Sequence, residues 1–208
     1  MISAVSQARI SRSDSGDLTQ PRRYLHPADK VWHVQLTQGE TFVTTQSDEV
    51  LTTVLGSCVA ACIRDPIARV GGMNHFLLPG TEGEDKDALC YGINAMELLI
   101  NGMMQNGALR NRMEAKLFGG ANVMASLTDI GSRNGEFAIN YLQQEGIRHA
   151  GGDLGGNSPR KLEYWPLTGR ARQYLVGGDS EELVRREIAL APERKRKTAD
   201  ERGNVELF

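Results

Sequence analysis

The apolar residues of this chain come in strand-sized runs, and that limits its fold more than any other feature. Val59-Ala-Ala-Cys-Ile63 is typical, far short of the ~18 apolar residues that a membrane-crossing helix needs. Runs rich in β-branched residues predict strands at Glu40–Gln46, Val50–Leu55, Cys58–Arg64 and Ala68–Leu78. Asp65-Pro66 is a turn initiator between the last two. Further strands are expected at Glu114–Phe118 and Ile147–Asp153, then a hairpin of Lys161–Trp165 with Ala171–Val176 across Leu167-Thr-Gly169. Only two segments carry helical periodicity. Leu89, Ile93, Met96, Ile100 and Met103 recur at alternating spacings of four and three, which predicts one apolar stripe on a helix over Ala88–Gln105, stopped by Gly107. The second helix is expected over Asn134–Glu145, with Asn134 as N-cap, Phe137 and Tyr141 on one face and Gly146 as its stop. Strands that outnumber helices and meet at tight turns predict an α+β or mixed α/β fold. Its sheets are layered, contain antiparallel hairpins and are packed by two main helices.

Charge and composition narrow the function. The 208 residues carry 24 Lys+Arg against 26 Asp+Glu, a net charge of −2, which argues against a general nucleic-acid binder. Residues 1–30 are polar and read as an extension. Residues 31–180 hold the folded domain, and residues 181–208 form a charged tail. The basic run Arg194–Lys197 in that tail is diluted by Glu193, Asp200 and Glu201, so a solvated tail is favoured over a nucleic-acid patch. Met1–Arg12 has no apolar core of a secretory signal. Three cysteines, Cys58, Cys62 and Cys90, cannot all pair, so at least one thiol stays free. The expectation is a cytoplasmic protein with no membrane insertion.

The segment from Thr52 to His75 carries the candidate chemistry. With Pro66 and Ile67 as the two central residues of a hairpin loop, Asp65 pairs with Ala68, and the same register sets Cys58 directly opposite His75. Their Cβ atoms would then be ~4.5–5.5 Å apart on one face. A thiol and an imidazole at that separation can work as nucleophile and base, although a bulge at Gly71-Gly72 would change the register. Gly56 and Ser57 ahead of Cys58 suit a tight turn offering backbone N–H groups to a developing oxyanion. Thr52, on the preceding strand, has a hydroxyl able to accept a hydrogen bond from the second ring nitrogen of His75. The plainer alternative is a buried cysteine and a structural histidine. No metal is expected: on a strand, Cys58 and Cys62 have Cα atoms roughly 13 Å apart at ~3.3 Å per residue, too far for two Zn–S bonds of ~2.3 Å. Only a helical segment would rescue such a site. Gly119-Gly120 after a strand lacks the further glycines and lysine of a phosphate cradle and reads as a packing turn near the site.

The whole run Thr52-Thr-Val-Leu-Gly-Ser-Cys58-Val-Ala-Ala-Cys-Ile-Arg-Asp-Pro66, followed by Gly71-Gly-Met-Asn-His75-Phe-Leu-Leu-Pro79, closely resembles the chemoreceptor glutamine deamidase family CheD. Phe118-Gly-Gly-Ala-Asn-Val-Met124, Ile130-Gly-Ser-Arg-Asn134 and Asp153-Leu-Gly-Gly-Asn157 with Arg160-Lys161 extend the resemblance over roughly residues 35–178. It implies a layered fold similar to bacterial toxin cysteine deamidases and a Cys–His–Thr triad at Cys58, His75 and Thr52. The implied activity is that of a hydrolase, a protein-glutamine glutaminase. It would deamidate receptor glutamines to glutamate through a thioester, releasing ammonia without a cofactor, and accompanying glutamyl methylesterase activity fits the same chemistry. Methyl-accepting chemotaxis receptors and a CheC-type phosphatase are the implied partners. Arg160 and Lys161 either meet acidic receptor helices or form a solvated pair. A non-catalytic adaptor that binds receptors or the phosphatase is the rival from another class.

Overall fold

The computed structural model describes residues 21–78, 85–123 and 130–176. Two five-stranded sheets and two helices form three layers. The first sheet contains β1 (Arg22–Leu25), β2 (Trp32–Gln35), β4 (Glu49–Leu55), β9 (Arg160–Trp165) and β10 (Arg170–Leu175), in that spatial order. The second has the order β3 (Thr41–Thr44), β6 (Val70–Asn74), β5 (Val59–Asp65), β7 (Glu114–Gly119) and β8 (Arg148–Leu154). Both sheets are mixed: β2–β4 and β7–β8 run parallel and the remaining pairs antiparallel. Helices α1 (Asp85–Gln105) and α2 (Ile130–Gln144) pack on the second sheet. The expected layered α+β fold is therefore the observed one.

Strand β5 explains the layering. Val59, Ala61 and Ile63 face the helices, whereas Ala60 and Cys62 face the first sheet, and all five are buried. A strand covered on both sides reads as an unbroken apolar run, because neither face needs polar residues. Opposite the helix-facing side, α1 contributes Met96, Leu99, Ile100 and Met103, all fully buried. Each such side chain is worth ~1.5–3 kcal/mol on removal from water. The N-terminal part of the expected stripe departs from the core: Leu89 and Ile93 are exposed, beside Leu78, Phe137 and Tyr141.

Several expectations are corrected. The loop of the β5–β6 hairpin has four residues, Pro66–Arg69, since Asp65 pairs with Val70. The Asp65 carboxylate accepts the N–H groups of Ile67 and Ala68 at 2.9 and 3.0 Å, and Arg69 takes a positive φ of 55°. The longer turn moves the register by two residues. Gly71 and Gly72 stay in the regular ladder without a bulge; a Cβ on Gly72 would lie 2.5 Å from the Phe42 carbonyl oxygen. Strand β1 falls inside the segment 1–30 expected to be an extension, and β2 carried no recognised signal. Residues 1–20, Pro79, Met124 and the tail from 181 onward lie outside the described residues. Arg160 is buried, with Nη1 on the Asp153 carbonyl at 2.7 Å and on its carboxylate at 3.0 Å, so it braces the end of β8 and does not face a partner.

Candidate active site

The chain crosses from the first sheet to the second at Gly56–Cys58, between β4 and β5. That crossover is clamped from two sides. Gly120 N–H donates to the Cys58 carbonyl and Ala121 N–H to the Gly56 carbonyl, each at 2.8 Å. Gly119 sits so close, at φ 106°, that a Cβ there would lie 2.1 Å from the Cys58 oxygen. The Gly119-Gly120 pair is thus the packing turn against the candidate nucleophile that its sequence suggested. From the other side Asn134 Nδ2 donates to the Ser57 carbonyl at 3.0 Å. Asn134 does not cap α2; it lies one turn inside the helix, fully buried. Its Oδ1 accepts the Leu78 N–H at 2.7 Å and its Nδ2 also reaches the Ile130 carbonyl at 2.8 Å. One side chain ties the Cys58 crossover to the segment that follows His75. In trans peptides the N–H points opposite to the preceding C=O. With the Gly56 and Ser57 carbonyls held back by these clamps, the Ser57 and Cys58 N–H groups are directed away from them.

His75 follows β6 and is clasped by the loop between β2 and β3. Its N–H donates to the Glu40 carbonyl at 3.0 Å, and the Gly39 N–H donates to the His75 carbonyl at 2.7 Å. The Glu40 carboxylate accepts the Thr37 N–H at 2.6 Å and closes that loop. The Val59–Phe76 bridge keeps the β5–β6 register, so His75 faces Ala60. Cys58 is two residues further along the same face, a diagonal neighbour instead of the directly opposite one. Diagonal Cα atoms are roughly 7–8 Å apart, a span within reach of an aromatic ring such as the imidazole. Because side chains alternate with period two, a shift of two residues keeps both groups on one face.

The hydroxyl on the imidazole belongs to Thr53, not to Thr52. Thr53 Oγ1 is 2.9 Å from His75 Nδ1 and 2.8 Å from the Leu36 carbonyl oxygen. Thr52 lies on the opposite face of β4, where among the described residues its hydroxyl meets the Val34 carbonyl, at 3.5 Å. The Leu36 oxygen can only accept, so the Thr53 hydroxyl spends its proton there and presents a lone pair to His75. That lone pair selects the Nδ1–H tautomer and leaves Nε2 as the bare nitrogen. Nε2 is buried and has no hydrogen-bond partner among the described residues. Burial pushes the imidazole pKa down to about 4, opposed by the Leu36 carbonyl, so His75 is neutral near pH 7.

Cys58 is buried at the same end of the sandwich, with its Sγ 3.9 Å from Gln38 Oε1. Cys62 is fully buried, and burial raises its thiol pKa far above the ordinary value, so it stays a neutral core residue. Cys58 and Cys62 sit at and along a strand, not on a helix, which removes the one geometry that would have let them share a metal. Sequence reasoning missed Thr53, Gln38 and Asn134. Asn134 had a readable signal, a polar residue within the apolar face of a helix, but it was read as a cap. Gln38 stands in a short Gln-Gly-Glu turn with no signal of its own.

A thiol and a neutral imidazole held by a hydroxyl lie on one face where the chain passes between the two sheets, and these are the group types that cysteine–histidine acyl transfer uses. The chain belongs to the CheD family. The family model described as CheD chemotactic sensory transduction matches residues 77–174. Relatives named "Probable chemoreceptor glutamine deamidase CheD" come from Rhizobium johnstonii, 52% identical over 73% of this chain and 84% of the relative, and from Rhizobium meliloti, 55% identical over 70% and 81%. The relative from Agrobacterium fabrum, of the same name, is 50% identical over 76% of this chain and 89% of its own. Among solved structures, the hypothetical protein YfiH of Bacillus licheniformis overlaps 57% of this chain and 50% of its own with a TM-score of 0.38 at 14% identity. Among the described residues no helix is long and apolar enough to cross a membrane.

Proposed function

We propose that this chain hydrolyses the side-chain amides of specific glutamines in methyl-accepting chemotaxis receptors. The observation that carries the reading is the chain of contacts from the Leu36 carbonyl through Thr53 to His75 Nδ1, which leaves Nε2 free to take a proton. Nε2 takes the Cys58 thiol proton as sulfur attacks the amide carbon of the substrate. The resulting oxyanion is held by the Ser57 and Cys58 N–H groups of the Gly56–Cys58 turn. The imidazolium then gives its proton to the leaving nitrogen, ammonia departs and a thioester remains. Water, deprotonated by Nε2, attacks the thioester, freeing a glutamate carboxylate and restoring the thiol. A buried imidazole is a weak base at rest, so proton transfer and attack proceed together. The same steps applied to a glutamyl methyl ester release methanol, and methylesterase activity accompanies deamidation.

The substrate face is the cytoplasmic helical part of the receptors, which places the protein in the cytoplasm, and a CheC-type phosphatase is the second partner implied by the family resemblance. Incubation with a cytoplasmic receptor fragment tests the reading. Amide-to-acid mass change with ammonia release, lost in Cys58→Ala, is the expected result. Binding of the fragment with no mass change would instead support the adaptor.

A further inference from the structure

A cluster of His26, Asp29 and His33 lies on the outer side of the first sheet, at the β1–β2 hairpin and away from Cys58. Asp29 stands between the two imidazoles: its Oδ1 is 3.1 Å from His26 Nδ1 and its Oδ2 is 3.3 Å from His33 Nε2. One potential ligand atom from each residue lies within 4.8 Å of the other two. The rings stack with centroids 4.5 Å apart at 21°. We propose that these three residues bind a divalent transition-metal ion of the Zn2+ or Co2+ class.

Four features support the assignment. Two imidazole nitrogens and one carboxylate oxygen, with no thiolate, make a borderline ligand set suited to Zn2+, Co2+ or Ni2+ and unsuited to Ca2+ or Mg2+. The carboxylate stands between the two imidazoles with one oxygen toward each, so a small turn of His26 brings both nitrogens and one oxygen toward a common point. The backbone already holds the carboxylate, because Val31 N–H donates to Asp29 Oδ1 at 3.1 Å, His26 N–H donates to the Val31 carbonyl at 2.9 Å and Lys30 N–H donates to the His26 carbonyl at 3.0 Å. Arg172, whose charge reaches Asp29, spends its hydrogen bonds on another group, gripping the Glu163 carboxylate at 2.6 and 3.0 Å.

An ion must lie in the plane of each ring it binds, so binding exchanges the stack for coordination. The His33 side chain is 5% exposed and stays fixed, whereas that of His26 is 37% exposed and is free to turn. Three protein ligands leave the remaining positions to water, and the ion clips the hairpin that carries edge strand β1 to β2.

The test titrates the full-length chain with Co2+, followed by visible absorption, and with Zn2+, followed by calorimetry and by the ring C–H resonances of the histidines. A Cys58→Ser/Cys90→Ser background removes the thiol of the candidate site and the exposed thiol. One equivalent of ion is expected, with shifts at the His26 and His33 resonances, no sulfur-to-cobalt charge-transfer band and a higher Tm. His26→Ala, at a half-buried position, and Asp29→Asn, at an exposed one, should each weaken binding roughly 10–100-fold, the range that loss of even an outer-shell partner brings. In the Cys58-containing chain these two substitutions should leave receptor deamidation unchanged. Absence of binding in the Cys58→Ser/Cys90→Ser chain, or affinity unchanged in both variants, would overturn the proposal and leave Asp29 as a hydrogen-bond bridge between two stacked rings.

Discussion

Thr53→Val and Thr52→Val form a matched pair that decides which hydroxyl orients His75. Valine keeps the shape and the β-branch of threonine, so each change removes only a hydroxyl. At position 53 that hydroxyl serves two buried partners, the Leu36 carbonyl at 2.8 Å and His75 Nδ1 at 2.9 Å. Leaving both unsatisfied costs about 1–3 kcal/mol each in stability. The catalytic share is smaller, since the neutral imidazole stays in its pocket but loses its tautomer preference. A loss of about 1–2 kcal/mol corresponds to roughly a 5- to 30-fold fall in kcat/KM. At position 52 the single contact is 3.5 Å long, and its loss should change the rate less than about threefold and the stability by under about 1 kcal/mol. The assay is deamidation of a receptor fragment, with Tm read alongside. Thr53→Ser, which keeps the hydroxyl, should recover most of the rate. A large rate loss in Thr52→Val with near-normal turnover in Thr53→Val would refute the argument and return the role to the position implied by the family resemblance.

Cys58→Ala should give a folded, inactive protein, whereas Cys62→Ala should retain turnover and lose about 1–2 kcal/mol of stability, the cost of a small cavity beside Met73; activity measured on both variants checks the roles. The His75 pKa is lowered from 6.5 to about 4 in the folded state, so the unfolded chain binds the proton more readily. Stability should therefore be complete above pH ~6.5 and fall as the pH drops toward 4, by up to about 3 kcal/mol, a dependence that denaturant titration in His75→Gln should show diminished. The acid limb of kcat/KM should likewise lie well below that of an ordinary imidazole. Asn134→Leu removes three hydrogen bonds, two that hold the Ser57 and Leu78 backbones to α2 and one to Ile130 within the helix. A cost of about 2–4 kcal/mol is expected, with a fall in kcat that Asn134→Asp does not fully recover, because a carboxylate cannot donate to the Ser57 oxygen.

The fold was legible where apolar residues and turn residues alternate in short blocks. Eight of the ten strands among the described residues follow from such blocks. The two that escaped, β1 and β2, carry Arg22, Arg23, His33 and Gln35, and look like the polar extension that precedes them. They become strands through pairing: β2 lies parallel to β4, a long-range contact that local composition does not encode. The first half of the α1 stripe misled in the opposite direction. Leu89 and Ile93 have the spacing of core residues, yet they border a groove with Phe137 and Tyr141, and periodicity alone does not distinguish a groove from a core.

The site was legible in its face and not in its details, for a geometric reason. A four-residue hairpin loop in place of a two-residue one moves every pair along β5 and β6 by two positions. Two is the period of the strand, so Cys58 and His75 remained on the same face although they are no longer opposite. An error of one would have sent them to different layers. Thr52 and Thr53 differ by that one position, and the sequence had no means to choose between them. Strand β4 reads Glu-Val-Leu-Thr-Thr-Val-Leu and is buried along both faces except at Val54, so the usual alternation of polar and apolar residues is missing. The choice is made by Leu51 and Leu55, which share the face of Thr53 and enter the core between the sheets. Thr53 is thereby placed among apolar neighbours, where a hydroxyl must find partners, and the Leu36 carbonyl and the His75 ring are the two it finds.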